Sequence, residues 1–305
     1  MMLPAGNPHK TLYVIAGPTA VGKTAVAIAL AQRLGTAIIS ADSRQCYREM
    51  TIGTAKPSPA ELAAVKHYFI NEYPVTQALT AADYEALALG YLTQVFASHD
   101  AAVVCGGTGL YIKALCEGLD AMPAVDEAIV QQVSAAYTAG GIDWLQQAVA
   151  AEDPEFYTAG EVHNPARMMR ALAFIRTTGR SIVHYRTQTR KRRPFRIVKI
   201  GLELPREVLY GRINTRVDHM IADGLLQEAE SLYDQRQLKN LQTVGYQELF
   251  DMRDGIYTYK EAVDKIKQHT RNYAKRQMTW FKKDEEIHWL RADDKDIVEQ
   301  ILSLA

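Results

Sequence analysis

The apolar positions of the chain fall into two rhythms. Leu12 to Ala16, Ala37 to Ser40 and Ala101 to Cys105 are short continuous apolar runs, the pattern of strands buried on both faces of a parallel sheet. Ile197 to Leu204 returns to that pattern late in the chain, and His67 to Ile70 has the composition of a further short strand. Between these runs, apolar residues recur at helical spacing. Lys23 to Leu34 predicts a helix closed by Gly35 as its C′ residue. Thr80-Ala-Ala-Asp83 reads as a capping box that opens a helix to Ala97, with Leu87, Tyr91 and Val95 at helical spacing. Long helices are expected from Arg206 to Gln235 and from Tyr259 to Lys282, whereas Met50 to Pro59 is turn-rich and reads as a surface loop. Val125 to Thr178 shows helical periodicity and no strand. The expected fold is therefore α/β, a parallel sheet core flanked by helices. Residues 1–121 and 196–305 form that core, with residues 122–195 inserted as an all-helical domain.

Composition bounds this picture without redirecting it. The chain has 305 residues, 48% of them hydrophobic, enough for one large domain or two ordinary ones. The formal net charge is zero, so no global pull towards nucleic acid exists, although a local basic patch remains compatible. Three cysteines without Cys-x-x-Cys spacing argue against a disulfide framework and a zinc finger. Residues 1–10 lack the apolar core of a signal peptide, and no stretch approaches the roughly 18 apolar residues of a membrane span. A cytoplasmic monomer with no membrane partner is expected. The charge that matters is local. Arg186 to Arg196 holds six basic residues and no acid, which suits either a solvated loop or contact with a phosphate backbone.

Chemistry enters with Gly17-Pro18-Thr19-Ala20-Val21-Gly22-Lys23-Thr24, which lies between the first strand and the first helix. That is the setting of a phosphate-binding loop, and it makes the core P-loop NTPase-like. Its backbone N–H groups turn inward at an anion, Lys23 adds a point charge, and the Thr24 hydroxyl can ligate Mg²⁺. A plain turn capping a helix is the competing reading. Asp42-Ser43-Arg44-Gln45 follows the second strand and lands on the same sheet edge. Asp42 can hold the Mg²⁺ shell, act as a general base, or merely cap a turn. Gly106-Gly107-Thr108 is a further loop at that edge, and Arg212 and Arg216 stand four apart on one helix face. From the residues alone, a small-molecule P-loop kinase using ATP is the favoured class, and an inert RNA-binding module is a third possibility.

Seven ordered blocks sharpen the choice. They are residues 17–24, Asp-Ser-Arg-Gln at 42–45, Ile-Gly-Thr-Ala-Lys-Pro at 52–57 and Gly-Gly-Thr-Gly-Leu-Tyr at 106–111. The others are Asn-Pro-Ala-Arg-Met-Met-Arg-Ala-Leu at 164–172, Val-Gly-Tyr-Gln-Glu at 244–248 and Tyr-Ala-Lys-Arg-Gln-Met-Thr-Trp-Phe at 273–281. With these the chain resembles the bacterial tRNA dimethylallyltransferases (tRNA isopentenyltransferases) over nearly its whole length. The resemblance implies transfer of a dimethylallyl group from dimethylallyl diphosphate to the N6 amine of the adenine 3′ of the anticodon, with Mg²⁺ as cofactor. Gly17 to Thr24 and Arg216 would then bind the diphosphate, Thr24 the metal, and Asp42 would take the proton from the amine. It also implies that Asp42, Ser43, Arg44, Gln45, Thr108, Arg167 and Arg170 bind tRNA, the helical insertion gripping the anticodon stem-loop. Ala166 stands where the family carries glutamine, and Val130 where several relatives carry arginine, so neither contact is carried over.

Overall fold

A computed structural model describes residues 10–187 and 189–305, so the expectation for the N-terminal leader and the Gln188 position of the basic run lie outside the described residues. In chain order the elements open with β1 (Thr11–Ala16), α1 (Lys23–Leu34), β2 (Ile38–Ser40), α2 (Pro59–Ala64), β3 (His67–Tyr68), α3 (Ala81–Phe96), β4 (Ala101–Gly106) and α4 (Gly109–Glu117). Three helices follow, α5 (Glu127–Glu152), α6 (Pro154–Ala159) and α7 (Pro165–Thr178). The chain then returns to β5 (Arg196–Glu203), α8 (Arg206–Ala222), α9 (Leu225–Leu232), α10 (Tyr246–Arg253), α11 (Tyr259–Phe281), β6 (Ile287–Arg291) and α12 (Ile297–Ser303).

The strands form one six-stranded sheet in the order β3-β2-β4-β1-β5-β6, and every ladder is parallel. Both faces are covered, which is why the central strands read as unbroken apolar runs. Leu12, Val14 and Ala16 pack into the core beneath α3, α4 and α10, while Tyr13 and Ile15 point into the core under α1, α8 and α12. Each fully buried aliphatic side chain of this kind contributes about 1.5–3 kcal/mol relative to exposure. The loops after β1, β2 and β4 leave the same edge, so the phosphate loop, Asp42 and Thr108 converge. Gly17 shows how tightly the first exit is built. It adopts φ +145°, and a Cβ there would sit 2.7 Å from the Leu202 carbonyl oxygen of β5.

Residues 118–191 form a separate compact unit, set apart from those up to 117 and from 192 onward. These limits fall four residues earlier at each end than the 122–195 expected from sequence. Phe195 belongs to the sheet core, its ring 5.5 Å from that of Phe96. Arg193 also belongs there. Its guanidinium pairs with Glu85 at 2.8 Å and donates to the Leu115 and Ala114 carbonyls, all nearly out of solvent. The helical unit has its own core of Leu145, Val149, Phe156, Met168, Leu172 and Phe174. Asp153 is fully buried within it, capping α6 at Phe156 N–H and accepting the Ser181 hydroxyl. Arg176 forks onto Glu152 at 2.8 and 2.6 Å to tie α7 to α5, whose backbone leaves helical geometry at Gly141.

Two expectations change. The long helix from Arg206 to Gln235 is broken at Gly224, which takes φ +103° and stands at the N-cap of α9. The edge strand β6 and the helices α2, α10 and α12 carry no strong period of their own and were not anticipated.

Candidate active site at the carboxyl ends of the strands

The phosphate loop is built from backbone geometry. Gly17, Ala20 and Gly22 all take positive φ (145°, 63° and 111°), folding the loop into a concavity of the kind that holds anions. Ala20 does so as a non-glycine residue, a cost accepted where the surrounding structure fixes the turn. No side chain caps α1 and no acid lies in its first turn, so its positive end remains available to an anion. Lys23 Nζ donates to the Pro18 carbonyl at 2.8 Å across the loop. Burial pushes the Lys23 ammonium down to about 8; Cys105 and Asp42 pull it back up, and Arg216 presses it lower. Thr24 lies in the first turn of α1, half-buried.

Two arginines of α8, one turn apart, brace this loop from the side. Arg212 Nη1 donates to the Val21 carbonyl at 3.1 Å, and Arg216 Nη1 reaches the Thr19 hydroxyl at 3.5 Å. Burial holds Arg216 below the usual guanidinium range.

The opposite wall starts at Asp42. Its Oδ1 accepts the Arg44 and Gln45 N–H groups at 2.8 and 3.2 Å, so the turn-capping role is real. Among the described residues no hydrogen bond goes to its second oxygen, so the cap leaves one oxygen for chemistry. Thr108 Oγ1 accepts the Ser43 N–H at 3.1 Å, and its own N–H donates to Ala41. Gln45 Nε2 donates to the carbonyls of Thr54 and Ala55, which commits this side chain to holding the 51–55 loop. Arg44 bonds the Ser43 carbonyl, while its buried Nε has no hydrogen-bond partner.

The 51–55 loop is fixed from a distance. Glu228 accepts the N–H groups of Thr51, Ile52 and Gly53 at 2.8–2.9 Å, and Tyr246 donates to the same carboxylate at 2.6 Å. Burial is the main reason the Tyr246 hydroxyl is held far above its ordinary range. Glu248 caps α10 at Gly245 N–H and bonds His269 Nδ1 at 2.6 Å.

These walls enclose a cleft of about 230 Å³ lined by Thr19, Asp42, Ser43, Arg44, Gly53 to Ala55, Arg216, Val217, Met220, Thr243 to Gly245, Ile266, Thr270 and Tyr273. Two helices run along it as rulers. On α8, Arg212, Arg216 and Met220 follow at four-residue steps; on α11, Gln277, Tyr273, Thr270 and Ile266 occupy successive turns of one face. Polar groups gather at the loop end. Val217, Met220, Val244 and Ile266 supply an apolar wall.

Several sequence-derived candidates separate from this cleft. Arg167 and Arg170 lie exposed on α7 of the helical unit, Arg167 bonded to Glu161. Burial, then the charges of Arg170 and Arg167, hold Arg186 below its usual range, so the three form one basic group. Arg193 leaves the basic run as a contact candidate, because it is a buried structural cation. Glu117, Asp284 and Glu286 approach metal-site spacing, but Lys199 Nζ sits among them at 3.2, 2.7 and 2.9 Å. Burial opposes the Lys199 charge, yet bonds to Asp284 and Glu286 keep its ammonium above the ordinary range.

Sequence reasoning passed over Glu228, Tyr246 and Gln277. The last two stood inside quoted blocks, 244–248 and 273–281, without a stated job. Gln277 is buried on α11; its Oε1 accepts the Thr19 N–H at 2.8 Å and its Nε2 donates to the Gly107 carbonyl at 2.9 Å.

A parallel sheet with a glycine-bounded anion loop after its central strand defines a P-loop NTPase-like protein. More narrowly, the chain belongs to the IPP transferase family, whose model matches residues 45–284. It is 44% identical over 292 residues to tRNA dimethylallyltransferase 1 of Phocaeicola vulgatus, covering 96% of this chain and 97% of that one. It is 46% identical to the tRNA dimethylallyltransferase of Christiangramia forsetii, covering 96% and 97%. The solved tRNA isopentenylpyrophosphate transferase of Bacillus halodurans superposes with TM-score 0.70 at 37% identity, covering 96% of this chain and 94% of that one. Membership in this family sets aside the small-molecule kinase. No helix among the described residues is long and apolar enough to cross a membrane.

Proposed function

We propose that the chain transfers a dimethylallyl group from dimethylallyl diphosphate to the exocyclic N6 amine of the adenine 3′ of a tRNA anticodon. The observation that carries this reading is a cleft in which an anion loop, an apolar wall and a carboxylate with one uncommitted oxygen meet. The names of the relatives point to the same reaction.

In this reading the loop N–H groups between Gly17 and Thr24, Lys23 and Arg216 hold the diphosphate, with Pro18, Thr19, Ala20, Val21 and Gly22 shaping the turn. Lys23 exchanges its Pro18 carbonyl for phosphate oxygens, an exchange of neutral for charged acceptor that strengthens the bond. The five-carbon chain lies against Val217, Met220, Val244 and Ile266. A stacked anticodon loop hides the adenine, so the nucleotide is extruded into the cleft from the Asp42 side. The amine nitrogen bonds to C1 of the donor as the C1–O bond breaks, and diphosphate leaves with that electron pair. Asp42 takes the amine proton. Ser43, Arg44, Gln45 and Thr108 shape the acceptor side. In the helical unit, Arg167, Arg170 and Arg186 bind the phosphates of the anticodon stem-loop.

The Thr24 hydroxyl, in the first turn of α1 beside the anion loop, suits Mg²⁺, which keeps several waters and takes phosphate oxygens. When bound, Mg²⁺ would neutralise charge on the leaving diphosphate. Incubation with labelled dimethylallyl diphosphate, Mg²⁺ and an unmodified tRNA transcript gives N6-dimethylallyladenosine in this account. No transfer by the intact protein contradicts it.

A further inference from the structure

We infer that Gln277 is a positioning residue that sets the gap between the loop holding the donor and the loop presenting the acceptor. The inference rests on the transferase reading above and assigns a role to a side chain that touches neither substrate. Gln277 is 6% exposed, and its two amide atoms bond two different strand-end loops. Chemistry fixes its orientation, since the Thr19 N–H only donates and the Gly107 carbonyl only accepts. On one side, Thr19 belongs to the anion concavity, and its hydroxyl meets Arg216. On the other, Gly107 precedes Thr108, whose hydroxyl and N–H hold Ser43 and Ala41 on either side of Asp42. The amide thus ties the loop that would hold the donor to the loop that would present the acceptor. Gly107 is shaped for it: a Cβ there would lie 2.2 Å from Gln277 Nε2. Neighbours on α11 place it as well, because Trp280, one turn further on, would lie 2.2 Å from a Cβ at Gly109. The helix face from Gln277 to Trp280 is fitted against the glycines of the 106–109 loop.

Loss of this strut leaves both loops present but no longer in register. A misplacement of about 1 Å in a reacting pair costs on the order of 10²-fold in rate. The cost falls on the transfer step, because each loop still binds its own substrate.

The test compares the full-length parent with Gln277→Met, Gln277→Glu, Gly107→Ala and the Gln277→Met/Gly107→Ala double variant. Expected for Gln277→Met is a kcat about 10- to 100-fold lower. Both KM values and the tRNA dissociation constant stay within about threefold of the parent's. Gly107→Ala, which pushes the amide away, gives a similar loss, and the double variant loses little more than the worse single one. In Gln277→Glu the ionised carboxylate still accepts from Thr19 but cannot donate to Gly107. Protonation restores an O–H donor, so the variant-to-parent rate ratio rises as pH falls. A Gln277→Met kcat within threefold of the parent's overturns the inference. So does a Gln277→Glu ratio that stays flat with pH, which also decides the matter if Gln277→Met fails to fold. A parent without transfer activity overturns the transferase reading itself, and this inference with it.

Discussion

The two compact units assign their charges to opposite tasks. In the sheet unit, the charged and polar groups near the cleft are mostly committed: Glu228 to three backbone N–H groups, Gln45 to the 54–55 carbonyls and Arg212 to Val21. In the helical unit, Arg167 and Arg170 stand exposed and crowd Arg186. Fixed bonds suit chemistry, where a small displacement is costly, whereas exposed guanidiniums suit a flexible polyanion bound by counterion release. The basic run divides along the same line, with Arg186 in the charged cluster and Arg193 built into the sheet core.

Within the phosphate loop of the sheet unit, Lys23→Met has the largest expected effect. Removing one charged donor from the leaving-group site lowers kcat/KM for the donor by about 10²–10³-fold, with tRNA affinity unchanged. Steady-state kinetics with a separate tRNA binding curve read the two apart. Arg193→Met comes next. It removes a nearly buried guanidinium that pairs with Glu85 and bonds the Ala114 and Leu115 carbonyls, and it lowers stability by about 3–5 kcal/mol, read as a shifted denaturation midpoint. The salt dependence of tRNA binding stays as in the parent, and a flattened slope would return Arg193 to the contact surface. On the helical side, Arg167→Gln with Arg170→Gln weakens tRNA binding and reduces the salt slope by about 2, leaving donor KM and thermal stability as they were.

The smallest effect is a pH dependence. The Lys23 ammonium is held down to about 8, mainly by burial, so the free enzyme loses its charge from that pH upward rather than near the ordinary lysine value of 10.5. Donor KM therefore rises as pH passes about 8. The linkage to stability has the opposite sense. Between about 8 and 10.5 the unfolded chain binds more protons than the folded one at this site, so its contribution to stability grows with pH. Lys23→Arg, which stays charged, abolishes the KM rise.

What the sequence discloses follows from range. The phosphate loop is local: strand, glycines, lysine and helix occupy residues 11–34, and their geometry follows from their order. The parallel sheet is legible because burial on both faces leaves unbroken apolar runs. Asp42 lies on the right edge for the same reason. The strut and clamp are not local. Gln277 bonds a residue 258 positions away and Glu228 holds one 177 away, so no spacing rule connects them. The break at Gly224 was hidden because the flanking segments keep helical spacing, and β6 is a five-residue edge strand with partly exposed faces. The C-terminal limit of the helical unit moved because Arg193 and Phe195 carry a loop-like signature yet pack into the sheet core.

The central claim is that one cleft holds the leaving group at one wall and removes the acceptor proton at the other. Asp42→Asn tests it most directly, because it keeps an oxygen able to accept the Arg44 and Gln45 N–H groups while removing the base. Single-turnover transfer at saturating donor and tRNA is the measurement. The account predicts a rate lower by about 10²–10⁴-fold with tRNA affinity within a few-fold of the parent's. A transfer rate within a few-fold of the parent's would contradict it.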